Sequence, residues 1–523
     1  MAENNYIITL PALREAPTKS PEMARDIVAG WTSQFEQTLS GQKDKLDLTP
    51  VFRQDAWVRD FLGLSWDFRT INGLDEISAY FAENSRARAF TLVEMKGFEE
   101  KAGINRPTGH VDDLGKGNWR EQRERQMEFL DEEPAVLIIG AGHAGINLGV
   151  RLRHLGIPTS MVDRNEHVGD SWRKRYRTLM THDPIRHCHL PFIPFPADWP
   201  LFTPKDKLAD LARVDLDRQA PPPHARRRQQ HPRHPPASRR PRHGSGRRPP
   251  IAPSFPGQDG FRGAVYHGSQ HSDASSIADL AGKRVLVVGS GNSSHDICQN
   301  FRDSGAASAT MIQRGGTYVV TANKGLLLMH EGMYDEGGPP TDDADIVAQS
   351  MPTPVQFALH SLGTKFIADT VDRDLLAGLG KAGFELDFGP GGSGIFRKYL
   401  TRGGGYYIDI GCSQLIADGK VKVHHSPDGI SGFTPTGLTL ADGTTLEADI
   451  VVLATGYDGM RSSARKILGD AVADRVRDCW DLDEQGEINS VGVPLLGHSI
   501  WRSSGHPGFW YTGGNLALCR SYS

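Results

Sequence analysis

Short apolar runs that break off at glycine set the pattern of this chain. Val136 to Ile139 runs straight into Gly140, Gly142 and Gly145, and Arg284 to Val288 runs into Gly289, Gly291 and Ser294. A short run of this kind, closed by glycine, predicts a buried strand, and the residues after each glycine turn have helical spacing. The predicted helices, Ile146 to Leu155 and His295 to Phe301, are each followed by a second apolar run, Thr159 to Val162 and Ala309 to Gln313. Strand, tight turn, helix and strand in that order predict a βαβ unit twice over. Ile450 to Leu453, feeding Ala454, Thr455, Gly456 and Tyr457, predicts one more buried strand, ending in a turn of small residues.

Elsewhere the pattern is weaker. Val421 to Leu446 alternates and turns at Asp428-Gly429 and Asp442-Gly443, which predicts a small antiparallel meander. Pro354 to Leu362 and Ile367 to Leu379 have helical spacing, ahead of a glycine-rich stretch from Gly389 to Gly405. Residues 1–130 predict a separate α+β module. Pro21 to Leu39 carries Trp31 and Phe35 on one helical face, Trp57 to Phe61 and Leu74 to Phe81 are short amphipathic pieces, and Trp66 to Phe68 begins a strand. The charged stretch Trp119 to Glu133 predicts a solvated connecting helix that Pro134 ends. Asp170 to Ala212 is proline-interrupted and predicts a long loop.

The two glycine turns carry the chemistry. In G-x-G-x-x-G spacing the first glycine allows the turn, the second lets the backbone approach a pyrophosphate, and the third lets the helix pack on the strand. The helix N-terminus then offers free N–H groups to the phosphates. The second strand of the first unit closes on Asp163, about 20 residues past the glycines, where an acid accepts from ribose hydroxyls. The second unit closes on Arg314 instead. An acid there would repel a 2′-phosphate, whereas a guanidinium pairs with one. The first turn therefore suits an adenosine with free ribose hydroxyls, and the second suits NADP.

Composition narrows the class without naming it. A chain of 523 residues holds roughly three domains at ~150 residues each. A formal net charge of −4 gives no reason to expect nucleic acid or anionic lipid as partner. Five scattered cysteines without a C-x-x-C pair argue for a reducing compartment and against a disulfide framework or a dithiol reductase. No run approaches the length of a membrane span, and the start is no signal peptide, so the expected location is cytoplasmic. The histidines near Asp183 (His182, His187 and His189) fit no metal-ligand template, and no metal is expected.

One segment is of another kind. Arg218 to Pro250 holds ten Arg, nine Pro and four His in 33 residues, with no acid and no aromatic. It cannot bury apolar surface, so it reads as disordered. A basic binding arm would interleave aromatic residues for stacking. The reading we favour is a stretch translated in a shifted frame or through an unspliced intron, because it stands where a dinucleotide domain should supply further strands.

Taken with Asp170-Ser171-Trp172-Arg173-Lys174-Arg175-Tyr176, His189-Leu190-Pro191, Phe195-Pro196 and the fingerprint Phe261-x-Gly263-x-x-x-His267, these motifs resemble the flavin-containing monooxygenases, in particular the YUCCA-type branch and its microbial relatives. The likeness covers residues 134–212 and 251–523, with His271 standing at the fingerprint's terminal aromatic position. It implies an α/β chain with two Rossmann-like dinucleotide-binding domains, for FAD and NADP, behind an N-terminal module loosely like nuclear transport factor 2 and short of strands. The implied division is residues 1–130 for that module, 131–265 with 445–523 for FAD, and 266–444 for NADP with a family insertion. Implied cofactor positions are Gly140, Gly142, Gly145, Asp163, Trp172, Arg173, Gly289, Gly291, Ser293, Arg314, Thr455, Gly456, Gly514 and Asn515. Implied catalytic positions are His267, Asn292 and Asp183, with His267 coupling the two domains rather than moving protons.

The activity implied is that of a flavin-dependent monooxygenase of the N,N-dimethylaniline monooxygenase type. NADPH would reduce FAD, oxygen would give a C4a-hydroperoxyflavin, and one oxygen atom would enter a small organic substrate. Heteroatom and Baeyer–Villiger oxidation both stay open, as does a homodimer. Two alternatives stand beside it: an NAD(P)H–flavin oxidoreductase without oxygenation, and a degenerate flavoprotein fold in which residues 218–250 have cost the FAD site.

Overall fold

The computed structural model describes residues 21–41, 47–61, 68–83, 118–130, 133–217, 250–476, 479, 500–501, 504 and 506–523. Most of the arginine-proline segment (218–249) and residues 66–67 of the strand expected from Trp66 lie outside the described residues. In the N-terminal part a helix Pro21–Gly41 faces an antiparallel pair, β1 (Trp57–Phe61) and β2 (Phe68–Asn72), followed by a helix Leu74–Glu83. Phe35, Leu48, Val51, Ile71, Ile77 and Phe81 form its core. Trp31 stacks on Phe35 at 5.2 Å and its indole N–H donates to Val51 O at 2.9 Å, so the expected shared face holds. The charged connecting helix is shorter than expected and covers Trp119–Met127.

The first βαβ unit forms as predicted. β3 (Val136–Ile139) and β4 (Thr159–Val162) pair in parallel, Val136 opposite Thr159 and Ile139 opposite Val162. Their crossover helix, His143–His154, begins as soon as the glycine turn is complete. The C-terminal helix Leu516–Tyr522 packs on it, with Arg151 donating to Arg520 O (2.6 Å) and Ser523 Oγ (2.9 Å). Among the described residues this sheet has two strands. The loop expected over 170–212 contains a turn of helix at Asp170–Arg173 and a helix Lys205–Asp217. They pack so closely that a Cβ on Gly169 would lie 2.4 Å from Ala209 O.

The second unit is larger. β5 (Ala264–His267), β6 (Arg284–Val288) and β7 (Ser308–Gln313) are followed by a parallel pair, β8 (Tyr318–Thr321) and β9 (Tyr406–Asp409). After these come β10 (Lys422–His425), the antiparallel meander β11 (Ile430–Thr434), β12 (Gly437–Leu440) and β13 (Thr445–Glu447), and finally β14 (Ile450–Leu453). The main sheet runs β10-β7-β6-β14-β5, parallel throughout. Strand pairing thus runs across the boundaries drawn at 265/266 and 444/445. β6 shows why its run from Val285 to Val288 is apolar at every position. Val285 and Val287 point into one core with Ile297, Phe301 and Met311, while Leu286 points into another with Leu438, Leu440 and Val451. Both faces of a parallel strand are covered, so alternation disappears.

Two expectations need correcting here. The 422–425 strand leaves the expected meander and pairs in parallel with β7. Its apolar Val423 packs against the first of those cores rather than with the meander. The two expected helices over 354–379 are redrawn as one long helix Thr353–Asp369 and a second, Arg373–Lys381. The break falls at Asp372, whose carboxylate accepts from the Thr321 N–H at 3.0 Å and the Thr321 hydroxyl at 2.6 Å.

Candidate functional site

Each glycine of the first turn has a visible reason. Gly140 sits at φ +114°, and a Cβ on Gly145 would lie 2.0 Å from Gly140 O, so only glycine lets the helix approach the strand. Gly142 caps the helix without any side-chain hydrogen bond, leaving its first turn open to a phosphate. Asp163 stands at the end of β4 as expected, but its carboxylate accepts from the Ala141 N–H (2.7 Å), the Asn165 N–H (2.7 Å) and the Asn165 amide (2.8 Å). A carboxylate has about four acceptor sites. With three taken, the group has room for one ribose hydroxyl rather than a pair.

His143, inside the motif, ties this turn to the C-terminus. Its Nε2 bonds Gly514 O at 2.9 Å and its ring meets Trp172 at 5.7 Å; burial lowers its pKa. Gly514, at φ +111°, precedes Asn515, whose side chain caps the last helix by accepting from the Leu518 N–H at 3.0 Å. Asn515 is therefore committed to the fold. Arg173 is also held, donating to Val168 O at 2.7 Å and to Asp210 at 2.8 Å.

The second turn repeats the geometry. Gly289 lies at φ +123°, with Ala454 O 2.5 Å from where a Cβ would be, and Gly291 caps the helix Asn292–Asp303 with no side-chain bond. Ser294 fills the third glycine position and is buried. Asn292 accepts from the Ile408 N–H at 2.9 Å, which fixes the helix start against β9. Arg314 stands exposed just past β7, and Gly289 N–H bonds Ile312 O at 2.9 Å, so the guanidinium's strand borders the turn. Arg314 forms no salt bridge among the described residues.

The two units are joined first by a bond that sequence reasoning did not find. Tyr176 donates to Asp296 in the second helix, and burial pushes the Asp296 carboxyl up to about 6 against the opposing effects of Tyr176 and Arg175. His267 lies opposite Leu453 across the β5–β14 ladder. Its Nδ1 accepts from the Ser269 N–H at 3.1 Å, which requires the neutral tautomer with the proton on Nε2, and that N–H donates to Gly456 O at 3.1 Å. Both ring nitrogens are occupied, so the geometry makes it a brace for the Ala454–Tyr457 turn. Gly263 is forced by packing, since a Cβ there would meet Asp449 O at 2.4 Å. Thr455 donates its hydroxyl to Ile251 O.

Asp183 lies apart from these turns, beside a cavity of about 580 Å³. Leu201, Leu327, Leu328 and Tyr334 give it apolar wall, Arg186 and Lys324 give it cationic groups, and Glu331, Asp335 and Glu336 give it carboxylates. His330 lines it too, and lies with Asp183 and His187 in one cluster. Nothing in the sequence pairs His330 with Asp183, because the contact depends on how the helix Leu327–His330 folds back. Deeper in, Arg520 is buried, doubly bonded to Asp345 (2.6 and 2.7 Å) and donating to His187 O and His189 O.

Comparison with known proteins gives a consistent picture. Residues 248–329 match the family described as flavin-binding monooxygenase-like. Indole-3-pyruvate monooxygenase YUCCA1 of Oryza sativa subsp. japonica is 28% identical over 354 residues, 64% of this chain and 80% of that protein. Probable indole-3-pyruvate monooxygenase YUCCA10 of Arabidopsis thaliana is 26% identical over 357 residues, 62% of this chain and 82% of that protein. Among solved structures, a flavin-containing monooxygenase from Stenotrophomonas maltophilia aligns with a TM-score of 0.41 and 17% identity, covering 74% of this chain and 94% of that one. OTEMO in complex with FAD and NADP aligns with a TM-score of 0.46 and 16% identity, covering 75% and 84%.

Proposed function

We propose that this relative of the flavin-containing monooxygenases is an NADPH-dependent, FAD-containing monooxygenase that places one oxygen atom from O2 on a small organic substrate. The observation that carries the reading is the contrast between the two uncapped glycine turns, one bordered by Asp163 and the other by the unpaired Arg314. Gly140, Gly142, Gly145 and Asp163 would hold the flavin dinucleotide, and Gly289, Gly291, Ser293 and Arg314 would hold NADPH. A bound flavin supplies the redox and oxygen chemistry, and bound NADPH supplies the electrons.

The chain's own residues then do the remaining work. The two uncapped helix starts offer N–H groups to the pyrophosphates. Arg314 discriminates for the 2′-phosphate. His267, holding Gly456 O, keeps the Ala454–Tyr457 turn against the end of β5. Tyr176 and Asp296 hold the two units in one arrangement. The cavity beside Asp183, with apolar wall and charged groups of both signs, suits a small substrate with an apolar body and a polar group.

A second reading has its own support. Leu137 and Ile139, on one face of β3, are 59% and 49% exposed, where a complete flavin domain would cover them. On that reading the chain keeps NADP and has lost FAD. The visible spectrum of the purified protein separates the two. A flavin band that NADPH bleaches under air-free conditions, and NADH bleaches far less, supports the monooxygenase. A colourless protein that takes up no added FAD overturns it in favour of the second reading.

A further inference from the structure

The loop Asp183–His189 and the helix Leu327–His330 bring three metal-ligating side chains to the wall of the cavity. Asp183 and His187 lie on one turn of the loop, closed by the Cys188 N–H to Pro184 O bond at 3.2 Å. Asp183 Oδ2 is 3.7 Å from His187 Nδ1, and Asp183 Oδ1 is 3.9 Å from His330 Nε2. One donor atom from each residue lies within 4.8 Å of both others. Neither carboxylate distance is a hydrogen bond.

These nitrogens need a partner. His187 and His330 are only 8% and 6% exposed, and His187 Nδ1 and His330 Nε2 are buried with no hydrogen-bond partner among the described residues. Leaving a buried polar atom unsatisfied costs about 1–3 kcal/mol, and two of them facing one carboxylate is a pattern that a cation resolves. The neighbouring guanidinium of Arg520 does not oppose a cation strongly, because Asp345 neutralises it through two bonds.

We propose that Asp183, His187 and His330 form a binding site for a divalent first-row transition ion, with Zn2+ as the reference ion and one coordination position open to the cavity. Two imidazoles and a carboxylate are a three-ligand set of the kind that leaves a position for water or substrate oxygen. Ligand bonds near 2.0–2.2 Å put tetrahedral donors about 3.4 Å apart. The 3.7 and 3.9 Å separations, and the two imidazole nitrogens within 4.8 Å of each other, therefore close onto one ion by side-chain rotation. The ion would fasten the 183–189 loop to the Leu327–His330 helix and set one wall of the cavity.

The test is a titration of the tag-free, chelator-treated full chain with Co2+, followed by its visible ligand-field absorption and by displacement with Zn2+. The expected result is one saturable site whose affinity falls by more than roughly 10–100-fold in His330→Gln and in His187→Gln. It should persist when His224, His231, His234 and His243 of the arginine-proline segment are replaced by Gln. X-ray absorption of the Zn2+-loaded wild-type chain needs no variant to fold, and should show two imidazoles with oxygen in the first shell. No uptake by the wild-type chain, binding that survives loss of His330 and His187, or a first shell without the imidazole pair would each overturn the proposal.

Discussion

His267 illustrates how a side chain can be read correctly as a marker and still need the structure to explain it. With Nδ1 accepting from Ser269 N–H and Nε2–H donating to Gly456 O, it has no free nitrogen for proton transfer. His267→Ala should lower unfolding free energy by about 1–3 kcal/mol, the cost of leaving buried partners unpaired, while His267→Gln recovers part of it; urea denaturation of both variants measures this. Arg314 is the opposite case, exposed and in no salt bridge among the described residues. Arg314→Ala should raise KM for NADPH by roughly 10–100-fold, the worth of a charge-assisted phosphate contact, and leave KM for NADH unchanged. Equal losses with both nucleotides would remove the 2′-phosphate assignment.

At the scale of the element, the two βαβ units were legible because each short strand stops at a glycine with positive φ, Gly140 or Gly289, and enters a turn where close backbone contact also demands small residues. Gly145, whose Cβ would sit 2.0 Å from Gly140 O, is the tightest example. Gly145→Ala should force the helix His143–His154 off β3 and cost about 1–3 kcal/mol, with FAD uptake lost before NADP binding; far-UV circular dichroism and flavin retention read the two effects. What the sequence hid follows from the same logic. β8 and β9 pair across 84 intervening residues, and no local pattern announces such a partner. The strand 422–425 looked like the first arm of a meander because alternation says which face is apolar, not which sheet receives it. The helix Lys205–Asp217 was masked by the prolines before it. The site was legible to the same degree: the glycines, Asp163 and Arg314 carry local signatures, whereas the Asp183–His187–His330 cluster and the Tyr176–Asp296 bond exist only through tertiary contact.

The described residues bury several neutral histidines, and this fixes how the whole molecule should respond to acid. Burial is the first cause of every shift: His187 and His330 fall to about 3, and His295 and His360 to about 4, from an ordinary 6.5. His189, at about 4, moves the same way but is partly exposed and counts for less. A folded pKa below the unfolded one means that, as pH falls below 6.5, the unfolded chain takes up protons that the folded chain refuses, so stability is present above 6.5 and is lost toward 3 to 4. Asp296, raised to about 6, and Asp372, also raised by burial, work in the other direction, because the folded chain holds their protons more tightly. His143 and His182 are lowered by burial as well, so the imidazoles outnumber the two carboxyls, and each imidazole the fold keeps neutral steepens the fall by up to about 1.4 kcal/mol per pH unit. Against a total stability of about 5–15 kcal/mol, cooperative unfolding is expected between roughly pH 4 and 5, at the upper edge of the range where ordinary carboxylates protonate. His330→Gln removes one of these groups and should lower the slope of the unfolding free energy against pH, from urea denaturation between pH 6 and 5, by up to about 1.4 kcal/mol per unit, measured with a chelator present so that no bound cation contributes. A variant whose slope matches the wild-type chain would mean that His330 is already protonated in the fold, and the burial argument for its neutral state would fail.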